Sequence, residues 1–214
     1  MANRPWRRNN NQEIGYRSVK RIADRKNIYI FVTGKGTECN YFNSWIKKLR
    51  ASNIKKTIYI RCHAKDPKTA AEQVVREIDN QHLVGKFWLV FDIDPHGYLE
   101  KNIRECCQIL RDNKINIAYS NKSFELWFIL HYCSEPSSNW NQQEYEKKLT
   151  EYLGRKYKKT DSNLFNDFYP YLAQASKNAR KILDQYSDGV AIYQRDPSTT
   201  VHCLVEQLTD QIKY

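Results

Sequence analysis

Four apolar segments alternate with segments of helical periodicity between residues 28 and 132, and this alternation constrains the fold most. The strand-like segments are rich in β-branched and aromatic residues and read NIYIFVT, KTIYIRC, KFWLVFDI and INIAYS. Each is followed by a segment with apolar residues at helical spacing, as in TECNYFNSWIKKLRAS. Repeated strand–helix units form parallel sheets with right-handed crossovers and helices on both faces. We therefore predict an α/β core over residues 27–133, with a parallel sheet of about four strands.

The rest of the chain divides into a basic N-terminal segment and a helical C-terminal segment. Residues 1–26 contain eight Lys and Arg against Glu13 and Asp24, so we predict a basic arm. After the turn-rich sequence SEPSSNWNQ, residues 134–214 show mainly helical periodicity. The helical stretches are Gln142 to Lys156, Leu164 to Gln185 and Thr199 to Lys213, with Ser198 or Thr199 as a candidate cap. We predict that this segment is an extension packed on the α/β core.

The charge balance narrows the class of partner. The chain carries 35 Lys and Arg against 24 Asp and Glu, a net charge of +11. Such an excess suits a partner with a phosphate backbone, because cations on the protein release counterions from nucleic acid. The alternative is a basic protein that binds no nucleic acid. We assign candidate nucleic-acid contacts to Arg7, Arg8, Lys35, Lys122 and Lys158.

Localisation and redox state are inferred from features that the sequence lacks. The first residues have no apolar core of a signal peptide, and no apolar run approaches the ~20 residues that cross a bilayer. We therefore expect a cytoplasmic protein without a membrane partner. The six cysteines show no C-x-x-C spacing, so we expect free thiols and no zinc site. A homo-oligomer is left open.

Acidic residues lie near the ends of three predicted strands, where open α/β sheets bind ligands. Glu38 follows the glycine loop after the first strand, and Glu125 lies one turn into the helix after the fourth. Asp92 and Asp94 end the third strand and, being two residues apart, face the same side. Oxygen-rich clusters without His or Cys suit Mg²⁺ or Mn²⁺, which clamp a phosphodiester and lower the pKa of an attacking water. Glu38, Asp92 and Asp94 are the predicted metal ligands.

Each part of this cluster also has a simpler interpretation. Asp94 precedes Pro95 and could cap the next helix, and Thr37 or Glu38 could serve the start of the first helix. The loop glycines could supply positive φ alone, and no P-loop motif is present. Glu125 stands in a mostly apolar helix and could pair with a structural Lys or Arg. The sequence VFDID also permits a phosphatase whose first Asp is a nucleophile.

The ordered set of motifs resembles the RloB/AbiLii-like family of Toprim-fold proteins. The segments that carry the resemblance are TECNYF, FDID, SNKSFELWFILHY and RDPSTTVHCLVEQL. The resemblance covers residues 27–208, and Ser-Asn-x-Ser-Phe-Glu-Leu-Trp is its most specific part. It implies a Toprim-like core, divalent-metal nuclease chemistry, a role in bacterial anti-phage defence, and an ABC- or AAA-type ATPase partner.

The resemblance also implies a set of catalytic residues: Glu38, Asp92, Asp94, Glu125 and Lys159. The acids match the family's Thr-Glu, Asp-x-Asp and Phe-Glu-Leu-Trp. Tyr157 and Lys159 look like its Tyr-x-Lys, which could supply a phosphate-binding lysine.

One position departs from the family's pattern. Members usually carry a glutamate before the loop glycine, whereas this chain has Thr33-Gly34-Lys35. We therefore hold two expectations from different classes. The first is a nuclease that cleaves DNA or RNA, tRNA included, with Mg²⁺ or Mn²⁺ at a single site. The second is a catalytically inactive nucleic-acid-binding subunit of the same defence complex, and the phosphatase is a third.

Overall fold

Five strands form one sheet in the computed structural model, which describes residues 27–33, 36–52, 58–64, 66–93, 100–161 and 163–210. The strands are β1 (Ile28–Thr33), β2 (Ile58–His63), β3 (Lys86–Asp92), β4 (Asn116–Asn121) and β5 (Ser198–Thr199). Their order is β2-β1-β3-β4-β5, and the first four are parallel, with β5 antiparallel at the edge. The predicted α/β fold with a parallel sheet is confirmed.

Helices cover both faces of this sheet. The helices of the described residues are α1 (Thr37–Ala51), α2 (Pro67–Asn80), α3 (Glu100–Asp112), α4 (Glu125–Ile129), α5 (Gln142–Leu153), α6 (Leu164–Phe168), α7 (Leu172–Leu183) and α8 (Val201–Asp210). The helices α2 and α3 pack on one face, and α1 packs on the other together with α4 to α8. Among these helices, none is long and apolar enough to cross a membrane.

The alternation of side chains along each strand determines which face a residue joins. Val32 of β1 and Val90 of β3 belong to the apolar core beneath α1, whereas Phe31 and Leu89 belong to the core beneath α2 and α3. Successive side chains of a strand point to opposite faces, so Asp92 points to the same face as Val90. The end of β3 therefore directs its acid toward α1.

Helix boundaries differ from the sequence prediction where proline or a turn interrupts the backbone. The stretch predicted as helical from 164 to 185 forms α6, a short 3₁₀ turn at Tyr169–Tyr171, and α7. Pro170 has no N–H to donate and interrupts the helical hydrogen bonding there. The helix α5 ends at Leu153 because Gly154 adopts a left-handed φ of 63°.

The C-terminal segment completes the sheet as well as covering it. The strand β5 pairs antiparallel with the end of β4, where Ser120 lies opposite Thr199. The Thr199 hydroxyl donates to the carbonyl oxygen of Tyr119 at 2.8 Å and accepts the N–H of Val201 at 3.2 Å. Thr199 therefore satisfies a donor at the start of α8 while holding the sheet edge. A strand of two residues has no alternation that a sequence pattern could reveal.

Candidate active site

Three acidic side chains converge at the carboxyl end of the sheet, on the face covered by α1. Glu38 lies in the first turn of α1, Asp92 is the last residue of β3, and Glu125 is the first residue of α4. Glu38 and Glu125 are buried, and Asp92 is partly exposed with a buried Oδ1. The structure therefore brings together acids that lie far apart in the sequence.

The Asp92 carboxyl group lies in surroundings that disfavour a negative charge. Its Oδ1 has no hydrogen-bond partner in the part of the chain that the structure describes. Burial, followed by the charges of Glu38 and Glu125, raises the pKa of Asp92 well above its ordinary value of 3.8. The backbone N–H of Phe124 and the ammonium of Lys159 offset this in part. A cation beside Asp92 would relieve the remaining repulsion.

Glu38 faces Asp92 from the start of α1. Burial raises the pKa of Glu38, its own backbone N–H lowers it, and the charge of Glu125 raises it further. A Cβ added to Gly36 would lie 3.2 Å from Glu38 Oε2, so glycine at this position leaves room for the carboxylate. The φ of Gly36 is −90°, so close approach explains this glycine and positive φ does not.

Glu125 is held by a network of donors and a cation. Its Oε1 accepts hydrogen bonds from the Tyr157 hydroxyl at 3.0 Å and the Thr37 hydroxyl at 3.5 Å. The Lys159 Nζ lies 3.3 Å from the same oxygen and 3.6 Å from Glu146 Oε1. Burial lowers the pKa of Lys159, but the two carboxylates outweigh it and raise the pKa, so the ammonium stays charged. Thr37 faces Glu125, and α1 has no side-chain cap.

Glu125 fits in part both interpretations drawn from the sequence, which are a structural acid paired with a cation and a residue of the functional site. It pairs with a lysine, as a structural acid would, and its charge also acts on Glu38 and Asp92. The pair places the Lys159 ammonium at the edge of the acidic cluster, where its side chain is 47% exposed.

Lys122 and Lys158, both predicted to contact nucleic acid, differ in their surroundings. The Lys122 ammonium donates to the carbonyl oxygens of Ser138 at 2.5 Å and Trp140 at 3.3 Å, and lies 3.4 Å from Asp196 Oδ2. Lys122 therefore ties the loop before α5 to the C-terminal segment, which points to a structural role. Lys158 is exposed. The other predicted residues, Arg7, Arg8, Lys35 and Asp94, lie outside the described residues.

The oxygen donors of Glu38 and Asp92 fit a small, hard cation. Mg²⁺ is usually bound by one or two carboxylates, with water and substrate phosphates completing its shell. The unpartnered Oδ1 of Asp92 is one such donor, and Gly36 leaves space at Glu38 Oε2. Within the described ranges, no group of three His, Cys, Asp or Glu side chains could hold a metal ion. The residues therefore fit a cation that keeps water ligands and shares substrate oxygens.

Tyr157 is a site residue to which sequence reasoning gave no role of its own. It contacts Glu125 two residues before Lys159 does the same, and both lie after α5 in a non-helical segment. The Tyr-x-Lys spacing that forms part of the family resemblance was the available signal. Glu146, the second partner of Lys159, lies in no motif that would have marked it.

The fold and the site define an α/β protein with buried carboxylates at the carboxyl end of a mostly parallel sheet. The chain belongs to the RloB-like family, because the family model described as RloB-like protein matches residues 28–208. The match runs from the first residue of β1 into α8 and includes every acid of the cluster. Comparisons with curated proteins and with solved structures found no match.

Proposed function

We propose that this protein is a Mg²⁺- or Mn²⁺-dependent nuclease of Toprim type that cleaves DNA or RNA. The observation that carries the proposal is the convergence of Glu38 and Asp92 on one face of the sheet, with the Asp92 Oδ1 buried and unpartnered among the described residues. These two carboxylates would hold the cation. A cation held there would polarise a phosphoryl oxygen and lower the pKa of an attacking water.

The other site residues then have distinct roles. The charged Lys159 ammonium stands at the edge of the cluster, where it would neutralise a phosphate oxygen. Glu125 is a positioning residue, because it holds Lys159 at 3.3 Å and is itself fixed by the Tyr157 hydroxyl at 3.0 Å. Thr37 adds a weaker contact to the same carboxylate at 3.5 Å.

The family context extends the proposal beyond the chemistry. Membership of the RloB-like family supports a role in bacterial antiviral defence. We further propose that the protein acts in the cytoplasm beside an ABC- or AAA-type ATPase. The ATPase would position or restrain the nuclease. The net charge of +11 supports nucleic acid as the substrate.

The test is a cleavage assay with Mg²⁺ or Mn²⁺ on DNA and on tRNA, with and without the product of a neighbouring ATPase gene. We expect cleavage that Asp92→Asn and Glu38→Gln abolish while nucleic-acid binding persists. The matched control is Asp79→Asn on α2, an exposed acid on the opposite face of the sheet. Cleavage that survives Asp92→Asn would contradict the proposed site.

A second candidate function is a catalytically inactive, nucleic-acid-binding subunit of the same complex. The observation that favours it is the loop sequence Thr33-Gly34-Lys35, which has no acid before the glycine. This candidate predicts binding without cleavage in every arm of the assay, the arm with the ATPase included.

A further inference from the structure

A cleft of about 420 Å³ opens beside the carboxylate cluster, between α1 and residues 159–161, 164 and 165. Thr37 and Lys159, which both contact Glu125, form the end next to the cluster. Lys47 and Arg50 line the cleft farther along α1. Arg50 lies thirteen positions after Thr37, and a helix rises about 1.5 Å per residue, so the cleft follows α1 for roughly 20 Å.

Two cations of the cleft have no ion-pair partner among the residues that the structure describes. Lys47 and Arg50 are exposed, and neither forms an ion pair with any residue in the described ranges. Lys159 is a further cation at the end near the cluster, where it is paired with Glu125 and Glu146. Asp161 is an acid on the wall, but the Arg155 guanidinium pairs with it. A negatively charged ligand is therefore favoured along the part of the cleft that Lys47 and Arg50 line.

The remaining lining combines hydrogen-bonding groups with aromatic rings. Asn40 and Asn43 are exposed side chains of α1 that face the cleft. Tyr41, Phe128 and Phe165 are mostly buried rings that contribute its apolar part. Cations and amides that follow a backbone are groups with which proteins bind single-stranded nucleic acid. The three rings are buried and form the apolar floor of the cleft. A volume of about 420 Å³ lies in the range of small-ligand pockets and is too small to enclose a duplex.

We propose that this basic cleft binds the backbone of an unpaired nucleic-acid strand and leads it to the carboxylate cluster. Lys47 and Arg50 would contact phosphates on one side of the bond to be cleaved, and Lys159 would contact the phosphate nearest the acids. The substrate is then single-stranded, or a duplex with an unpaired end or loop. The inference rests on the proposed nuclease function for its direction toward the acids, but the binding itself does not require cleavage.

The test compares two double variants that lose the same charge. Lys47→Ala with Arg50→Ala removes the cations of the cleft. Arg76→Ala with Lys101→Ala removes an exposed arginine and an exposed lysine from α2 and α3, on the opposite face of the sheet. Binding to labelled single-stranded DNA, single-stranded RNA and duplex DNA of one sequence is measured by fluorescence anisotropy. The measurements use EDTA between 50 and 200 mM salt, and a thermal unfolding curve verifies that each variant is folded.

We expect the cleft variant to bind single strands more weakly and with less salt dependence. For single strands, each phosphate contact contributes about 0.7 to the slope of log K against log salt concentration, so the loss of two contacts reduces that slope by about 1.4. Between 50 and 200 mM salt, the wild-type affinity would then fall about sevenfold more than that of the variant. The control variant should keep the wild-type slope. The DNA and RNA arms identify which sugar the cleft prefers.

Three results would overturn the inference. Equal losses of affinity in the two double variants would show diffuse attraction by net charge. Unchanged affinity in the cleft variant would show that the cleft binds no strand. A larger loss of affinity for duplex DNA than for single strands would indicate a duplex ligand. Failure of the nuclease proposal gives a different result. Binding would then depend on Lys47 and Arg50 as expected, and no cleavage would occur with either cation or with the ATPase present.

Discussion

Asp92→Asn is the substitution that most directly tests the electrostatics of the site. The wild-type carboxyl group has a buried Oδ1 with no hydrogen-bond partner among the described residues, and two further acids act on it. Asparagine keeps nearly the same shape, carries no charge, and can donate a hydrogen bond to Glu38. We therefore expect the variant to be more stable than the wild type when no divalent cation is present.

The magnitude follows from the cost of an unsatisfied buried polar group. That cost is about 1–3 kcal/mol and is larger for a charged group. We therefore expect Asp92→Asn to raise the free energy of unfolding by about 2 kcal/mol. For a chain of this size it raises Tm by roughly 4–8 °C. The pKa of Asp92 is raised in the folded state, so the cost is fully present above that pKa and disappears as the pH falls toward 3.8. The gain should therefore shrink as the pH falls from neutral toward 3.8.

The assay is thermal unfolding of the wild type, Asp92→Asn and the control Asp79→Asn, in EDTA and in Mg²⁺. At a hundredfold excess over Kd, a cation that binds the folded state stabilises it by about 2.7 kcal/mol. We expect the wild type and Asp79→Asn to gain this stability and Asp92→Asn to gain little or none. An Asp92→Asn variant less stable than the wild type in EDTA, or one with an equal response to Mg²⁺, would refute the reasoning.

Three further predictions concern the surroundings of the site. Burial lowers the pKa of His131 to about 4, so the wild type loses free energy of unfolding as the pH falls below 6.5, where the unfolded chain binds a proton first. Between pH 7 and pH 5 this loss is about 2 kcal/mol, and His131→Leu should abolish it in unfolding measurements at the two pH values. Tyr157→Phe removes a donor to Glu125 and should cost about 1–3 kcal/mol in urea unfolding, whereas Tyr171→Phe at an exposed position should cost little. Lys122→Ala should lower the free energy of unfolding by about 1–3 kcal/mol without changing the salt dependence of nucleic-acid binding. Unchanged stability with a weaker salt dependence would instead support the predicted role of Lys122 in binding.

Long apolar elements of the fold could be predicted from the sequence, and short ones could not. The strands β1 to β4 contain six or seven residues each and carry their own hydrophobic pattern. The strand β5 contains two residues and exists because Ser120 and Tyr119 of β4 offer partners to Thr199. The Ser120 hydroxyl lies 3.0 Å from that of Thr199. Tertiary pairing of this kind leaves no local signal.

The acids of the site could be predicted because the topology alone brings strand ends together. Glu38 and Asp92 follow neighbouring parallel strands, and the alternation of β3 directs Asp92 toward α1. The sequence did not indicate which donors would hold Glu125, since Tyr157 and Lys159 come from the C-terminal segment. Their approach depends on how α5 packs against α4, which no periodicity within either helix determines.

The charge balance of the described cluster explains how a site without the loop glutamate could bind one cation. Glu38, Asp92 and Glu125 contribute three negative charges when ionised, and the Lys159 ammonium removes one. The two remaining negative charges match one divalent ion. A further glutamate at the end of β1 would add negative charge that could balance a second ion. Thr33 occupies that position here. Burial, followed by repulsion among the acids, raises the pKa values of Asp92 and Glu38. The proposed cation would relieve that repulsion.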